Sequence, residues 1–212
     1  MIAVDGPAAS GKGTLSRRLA SLYGLRYLDT GRLYRGVALM MLKGGFDPTD
    51  ENAATRTARA FDPDTLDTAE LRTAEVGRAA SHVAVHAGVR EALMEFQRDF
   101  GNTPPGAILD GRDIGTVIFP DAPVKLYITA SVEERARRRY EELRVQDPSL
   151  SLDAVTAELR RRDERDQGRE EAPLRPAAEA ELIDTSKLTP EEVLARATRI
   201  IDQAIARQRQ VG

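Results

Sequence analysis

Nine residues near the start of the chain, Gly6-Pro7-Ala8-Ala9-Ser10-Gly11-Lys12-Gly13-Thr14, constrain it more than any other segment. They fit the pattern GxxxxGK, with an apolar run from Met1 to Val4 before them and an apolar-periodic stretch from Thr14 to Tyr23 after them. That order reads strand, glycine-rich turn, helix. In such a turn backbone N–H groups and a helix N-terminus converge on an anion, small side chains let the backbone approach it, and the lysine adds a positive charge. An ordinary glycine-rich turn is the bland alternative, but the flanking strand and helix supply the context the pattern demands. There is one departure: Gly13 follows Lys12, and the hydroxyl arrives one place later, at Thr14.

The rest of the chain repeats the strand-then-helix alternation. Ala107-Ile108-Leu109, Val124 to Ile128 and Leu182-Ile183-Asp184 read as buried strands. Ser131 with Glu134, and Thr189 with Pro190 and Glu192, are capping-box starts of helices. Alternation of this kind predicts an α/β fold, with a parallel sheet covered on both faces, and 212 residues suit one domain. Residues 31–90, mostly helical, and 144–171, highly charged, fall outside the alternation and are expected to be insertions over the sheet's carboxyl edge.

Composition excludes several classes. With no cysteine there is no disulfide framework, and with no apolar segment of membrane or signal length a cytoplasmic protein without a membrane partner is expected. A net charge of −3 argues against a chain whose main work is coating nucleic acid. The 31 basic residues comprise four lysines and 27 arginines, ten of them between Arg135 and Arg169. Arginine's planar fork suits phosphate and carboxylate, although arginine-preferring codons on a solvated helix face would give the same bias.

Three further segments carry chemistry. In Leu28-Asp29-Thr30-Gly31-Arg32-Leu33-Tyr34-Arg35, Thr30 could cap a helix, Tyr34 could pack on a base or ribose and Arg35 could hold a phosphate; a plain N-cap with a core tyrosine is the alternative. Asp110-Gly111-Arg112-Asp113 follows an apolar strand, where α/β sheets present catalytic groups, and Asp110 is placed for a carboxylate near Mg²⁺. From Arg160 to Arg169, residues Arg162, Arg165, Asp166 and Arg169 share one helical face, which could equally be a solvated, salt-bridged surface. His82 and His86, four apart, lack a third ligand and read as ordinary helix residues.

Through GPAASGKGT, LDTGRLYRG, the segment from Ser81 to Leu93, DGRDIGTVIFPDAPVKLYI, the ERARRR stretch, RRDERDQGREEAPL and IDTSKLTPEEV, the chain resembles the bacterial cytidylate kinases, nucleoside monophosphate kinases of the P-loop class, over nearly its whole length. The resemblance implies a P-loop kinase core with a parallel five-stranded sheet flanked by helices, a monophosphate-binding insertion (31–90) and a helical lid (144–171). It implies that Gly6, Pro7, Ala8, Ala9, Ser10, Gly11, Lys12, Gly13 and Thr14 embrace the phosphates of ATP, with Arg139 and Arg165 bridging toward them. Arg35, Arg112 and Arg169 would hold the acceptor phosphate. Ser81, Arg90 and Asp113 would contact cytosine, Arg162 and Asp166 the sugar hydroxyls, and Thr30 and Tyr34 would complete the acceptor site. The insertion departs from the resemblance in being short, since Phe61 to Leu71 offers almost no β-patterned run.

The expected reaction is in-line transfer of the γ-phosphoryl group of ATP to CMP or dCMP, with Lys12, Arg112, Arg162, Arg169 and Asp110 as the catalytic set. Mg²⁺ would be held mainly by phosphates and water, with Thr14 and Asp110 as candidate ligands. Small molecules are the expected partners and a monomer the expected state. The rivals are a kinase of the same architecture acting on UMP, AMP or shikimate, and a non-enzymatic P-loop switch, for which the guanine-reading Asn-Lys-x-Asp segment is missing.

Overall fold

The computed structural model describes residues 1–63, 69–145 and 147–211. Five parallel strands, β1 (Ile2–Asp5), β2 (Arg26–Asp29), β3 (Ala107–Gly111), β4 (Val124–Thr129) and β5 (Glu181–Asp184), form one sheet in the order β2-β3-β1-β4-β5. The three inner strands, β3, β1 and β4, are short and largely buried on both faces, which is why the sequence shows apolar runs rather than alternation, while the edge strand β2 is only half-buried. Ile2 and Val4 face one side with Leu126, Ile128, Leu15 and Leu19. Ala3 faces the other with Ala107, Leu109 and Ile114. In β5 only Ile183 is buried, as expected of an edge strand.

Helices α1 (Lys12–Tyr23) and α8 (Pro190–Val211) cover the first face, and α5 (Ala87–Asn102) the second. The start of α8 carries the predicted capping box. Thr189 N–H donates to Glu192 Oε2 at 2.8 Å, and Glu192 N–H donates to Thr189 Oγ1 at 3.3 Å. Helix α6 (Val132–Leu143) starts on Ser131, whose Oγ accepts from Glu134 N–H.

Two groups of helices stand at the carboxyl edge of the sheet. α2 (Thr30–Lys43), α3 (Glu51–Ala60) and α4 (Ala74–Val83), with the start of α5, enclose a separate apolar core around Leu33, Val37, Met41, Ala54, Val83 and Val89. α6 and α7 (Leu152–Gln167) pack through Ala136, Val155 and Leu159 against Ala8 of the glycine-rich loop. The predicted lack of a strand over 61–71 falls partly on 64–68, outside the described residues; the described part is coil and a 3₁₀ turn, Glu70–Arg72.

Two expectations are corrected. Thr30 does not cap α2: the N-cap is Asp29, and Thr30 Oγ1 donates to the Asp110 carbonyl at 2.8 Å, tying α2 to the end of β3. His86 is not in a helix but links α4 to α5, its Nε2 3.0 Å from the Pro48 carbonyl. Among the described residues no group of three metal-ligating side chains occurs, and no helix is long and apolar enough to cross a membrane.

Candidate active site

Because β1 lies between β3 and β4 while the chain leaves it for the far strand β2, the loops after β1 and β3 open a crevice at the carboxyl edge. The loop after β1 takes a shape that requires its glycines. Gly6 has φ +150°, and a Cβ there would lie 2.0 Å from the Ile128 carbonyl oxygen; Gly11 has φ +90°. Even Ala9 takes a positive φ, 59°.

Side chains hold the loop's carbonyls, one from within the loop and the others from outside. Lys12 Nζ donates to Pro7 O at 3.2 Å, Arg135 to Ala8 O at 3.3 Å, and Thr185 Oγ1 to Ser10 O at 3.0 Å. Arg138 reaches both Ser10 O and Thr185. Arg135 is itself gripped by both carboxylate oxygens of Asp163 in α7, at 3.1 and 2.6 Å. Ser10 Oγ is buried without a hydrogen-bond partner. Thr14 is exposed, and with Ser10 and Gly11 it borders a cavity of about 320 Å³ that runs along α6 to Thr185 and Leu188.

At the strand ends, Asp29 and Asp110 are register partners of β2 and β3. Burial, and then the charge of Asp29, push the Asp110 carboxyl up to about 6. Burial, reinforced by Arg112, brings Lys12 down to about 7, against the pull of both acids. Tyr27 Oη donates to Asp110 Oδ2 at 2.5 Å. Two neighbouring carboxylates, one carrying a raised affinity for protons, form a hard-oxygen site that a hydrated divalent cation would relieve, so the residues fit Mg²⁺.

Asp5, the last residue of β1, is buried and accepts from Ile114 N–H at 2.8 Å and Gly115 N–H at 2.7 Å. Desolvation raises its carboxyl to about 7 despite these donors. The two bonds pin a π-helical turn, Ile114–Ile118, and with it the Arg112-Asp113 pair immediately before.

Beyond that turn lies the second half of the crevice. Asp166 of α7, with a side chain 1% exposed, accepts from Arg112 Nε at 2.8 Å and Arg169 at 2.5 Å, with Arg162 3.9 Å away. Although burial opposes it, these cations hold its carboxyl well below the usual range. Arg162 is brought down to about 9 by burial and by Arg112, with Arg35 and Arg139 adding to the repulsion. The Nε groups of Arg162 and Arg169 are buried donors without partners, which marks a place prepared for an anion. Arg90 pairs with Asp113 in a buried bridge, and Ser81 lines the same cleft. Tyr34 stands beside them, its phenol raised by burial. Arg35 donates to the Leu71 carbonyl at 2.7 Å, with its charge felt at Arg162.

The sequence-predicted residues thus gather into two adjoining sites, with two diversions, Arg165 and Arg139. Arg165 does not reach the loop: its Nε donates to Ser81 Oγ at 3.1 Å, and another nitrogen pairs with Glu158. Arg139 pairs with Glu142 at 2.7 Å at the rim of the arginine cluster. The α6 arginines that hydrogen-bond the loop are Arg135 and Arg138, because one residue along a helix turns the side chain by about 100°. Asp5, Tyr27, Asp29, Arg135, Arg138, Asp163 and Thr185 were not singled out from sequence. Asp5 and Asp29 carried a local signal, each as an acid ending a strand.

Comparison with known proteins covers both halves of this crevice. The family description cytidylate kinase matches residues 2–203. A cytidylate kinase from Caulobacter sp. (strain K31) is 54% identical, covering 98% of this chain and 96% of the relative. One from Agrobacterium fabrum is 50% identical, covering 97% and 98%. A crystal structure of an uncharacterised protein from Eubacterium ventriosum covers 97% of each chain at a TM-score of 0.52 and 13% identity, a likeness of fold alone. Since the match spans both the glycine-rich loop and the arginine cluster, this chain is a member of the cytidylate kinase family.

Proposed function

We infer that the chain transfers the γ-phosphoryl group of ATP to CMP or dCMP, giving ADP and CDP or dCDP. The observation that carries this reading is the acceptor half of the crevice: unpartnered donors on Arg162 and Arg169 beside the Arg90–Asp113 bridge and Ser81. A switch that only binds a nucleoside triphosphate has no use for it.

In the proposed arrangement the loop from Gly6 to Thr14 holds the donor phosphates, and Lys12 follows the charge on the transferring group. Arg35, Arg112 and Arg169 hold the acceptor phosphate, and Ser81, Arg90 and Asp113 read cytosine. Arg162 and Asp166 meet the sugar hydroxyls, while Thr30 and Tyr34 form the wall beneath. Residues 31–90 act as the monophosphate-binding insertion and 144–171 as the lid. Mg²⁺, held through water by Asp110 and Asp29 with Thr14 nearby, would offset phosphate charge when bound. An acceptor phosphate is already anionic, so no general base is required. Catalysis consists of positioning and of cations fixed where charge develops.

ADP release from Mg-ATP, with CMP, dCMP, UMP, AMP and shikimate offered separately beside an acceptor-free control, tests the reading. Turnover confined to CMP and dCMP supports it. Preference for another acceptor overturns the base-site assignment, and no acceptor-dependent turnover overturns the kinase reading.

A further inference from the structure

On the donor side, the position after the lysine, where phosphate-binding loops carry a serine or threonine hydroxyl, is Gly13. A Cβ built there would lie 3.5 Å from Asp110 Oδ2 and 3.5 Å from the Tyr27 hydroxyl. The space beside Asp110 is therefore filled from the sheet side rather than from the loop, by the phenol that donates to Oδ2 at 2.5 Å. Tyr27 is firmly placed. Its backbone pairs with Ile108 in the β2–β3 register, and the Arg17 guanidinium lies 5.7 Å over its ring. A carboxylate with one oxygen engaged by a fixed hydroxyl loses its freedom to rotate, and partners of this kind tune metal sites nearly as much as the ligands do.

We propose that Tyr27 is a positioning residue of the phosphoryl-transfer site: its hydroxyl fixes the orientation in which Asp110 meets the hydrated metal of the donor, standing in for the hydroxyl that Gly13 lacks. The inference rests on the assignment of Asp110 to the donor metal given above.

The test uses Mn²⁺ as a spin probe, with free Mn²⁺ read by electron paramagnetic resonance in titrations of the protein–ADP complex. Tyr27→Phe keeps the ring and its packing, so its thermal midpoint and metal-free ADP affinity should stay near those of the parent. Its Mn²⁺ affinity in the ADP complex should fall about tenfold, the low end of what outer partners contribute. In turnover, kcat should fall with the KM for CMP unmoved. Adding Gly13→Ser to Tyr27→Phe should recover part of the Mn²⁺ affinity, since a serine hydroxyl on that Cβ reaches Asp110 Oδ2; no recovery would sink the substitution argument. If Asp110→Asn weakens Mn²⁺ binding and Tyr27→Phe does not, Tyr27 has no positioning role while the assignment of Asp110 stands. If neither variant changes Mn²⁺ affinity, the assignment of Asp110 falls and this inference falls with it.

Discussion

Lys12 and Asp166 are the two residues on which most of the site's electrostatics turns. Lys12 is buried, with the nearby charges of Asp110 and Asp29 opposing its neutralisation, so it is held where an added phosphate has the largest effect. Lys12→Ala should lower turnover at least about a hundredfold, in the range of other preorganised charge stabilisers; near-normal turnover in the folded variant would refute the role. Asp166 sits among three arginines, and its folded-state carboxyl titrates below the ordinary 3.8. A depressed carboxylate contributes stability that is fully present above its unfolded value and is lost as pH falls through its folded value. Denaturant titrations should therefore show Asp166→Asn less stable than the parent at pH 7, with the gap closing below about pH 4. A gap that stayed constant down to pH 2 would contradict the assignment.

At the scale of elements, α6 is the strut between the glycine-rich loop and α7. Arg135, 3% exposed, joins all three through Ala8 and Asp163. Arg135→Ala strips a nearly buried carboxylate of its partner and should cost about 3 kcal/mol of stability, together with a raised KM for ATP. An equilibrium unfolding curve superimposable on the parent's would show that the strut carries nothing. The same strut shows what could and could not be read in advance. The strands, the capping boxes and the motif segments are local, and each is legible because its period or spacing lies within a few residues. The bonds from Tyr27 to Asp110, Arg135 to Ala8 and Thr185 to Ser10 join residues 83, 127 and 175 positions apart. No local pattern encodes those, nor does one tell Arg138 from Arg139 until the phase of α6 is known. Thr30 was misread for the same reason: its hydroxyl looked available to its own helix, but the parallel pairing of β2 with β3 brings the Asp110 carbonyl nearer.

For the molecule as a whole, the proposed acceptor cleft is drawn shut. It encloses about 40 Å³, against the roughly 300–1,000 Å³ typical of small-molecule pockets, with Arg165–Ser81 and Arg112–Asp166 crossing it. On the proposed reading, α7 and α4 part to admit the nucleotide. Amide hydrogen exchange should accordingly be faster in α7 than in β1, β3 and β4, and slow in α7 when ADP and CMP are both bound. Equal protection of α7 and the sheet without ligands would mean that the cleft does not open this way. The glycine-rich loop, by contrast, has little left to arrange. A trans peptide fixes each N–H opposite the preceding carbonyl, so clamping the oxygens of Ala8 and Ser10 from outside also aims the N–H groups of Ala9 and Gly11. The dipoles are oriented once, when the chain folds, and every later phosphate meets a surface already of one sign.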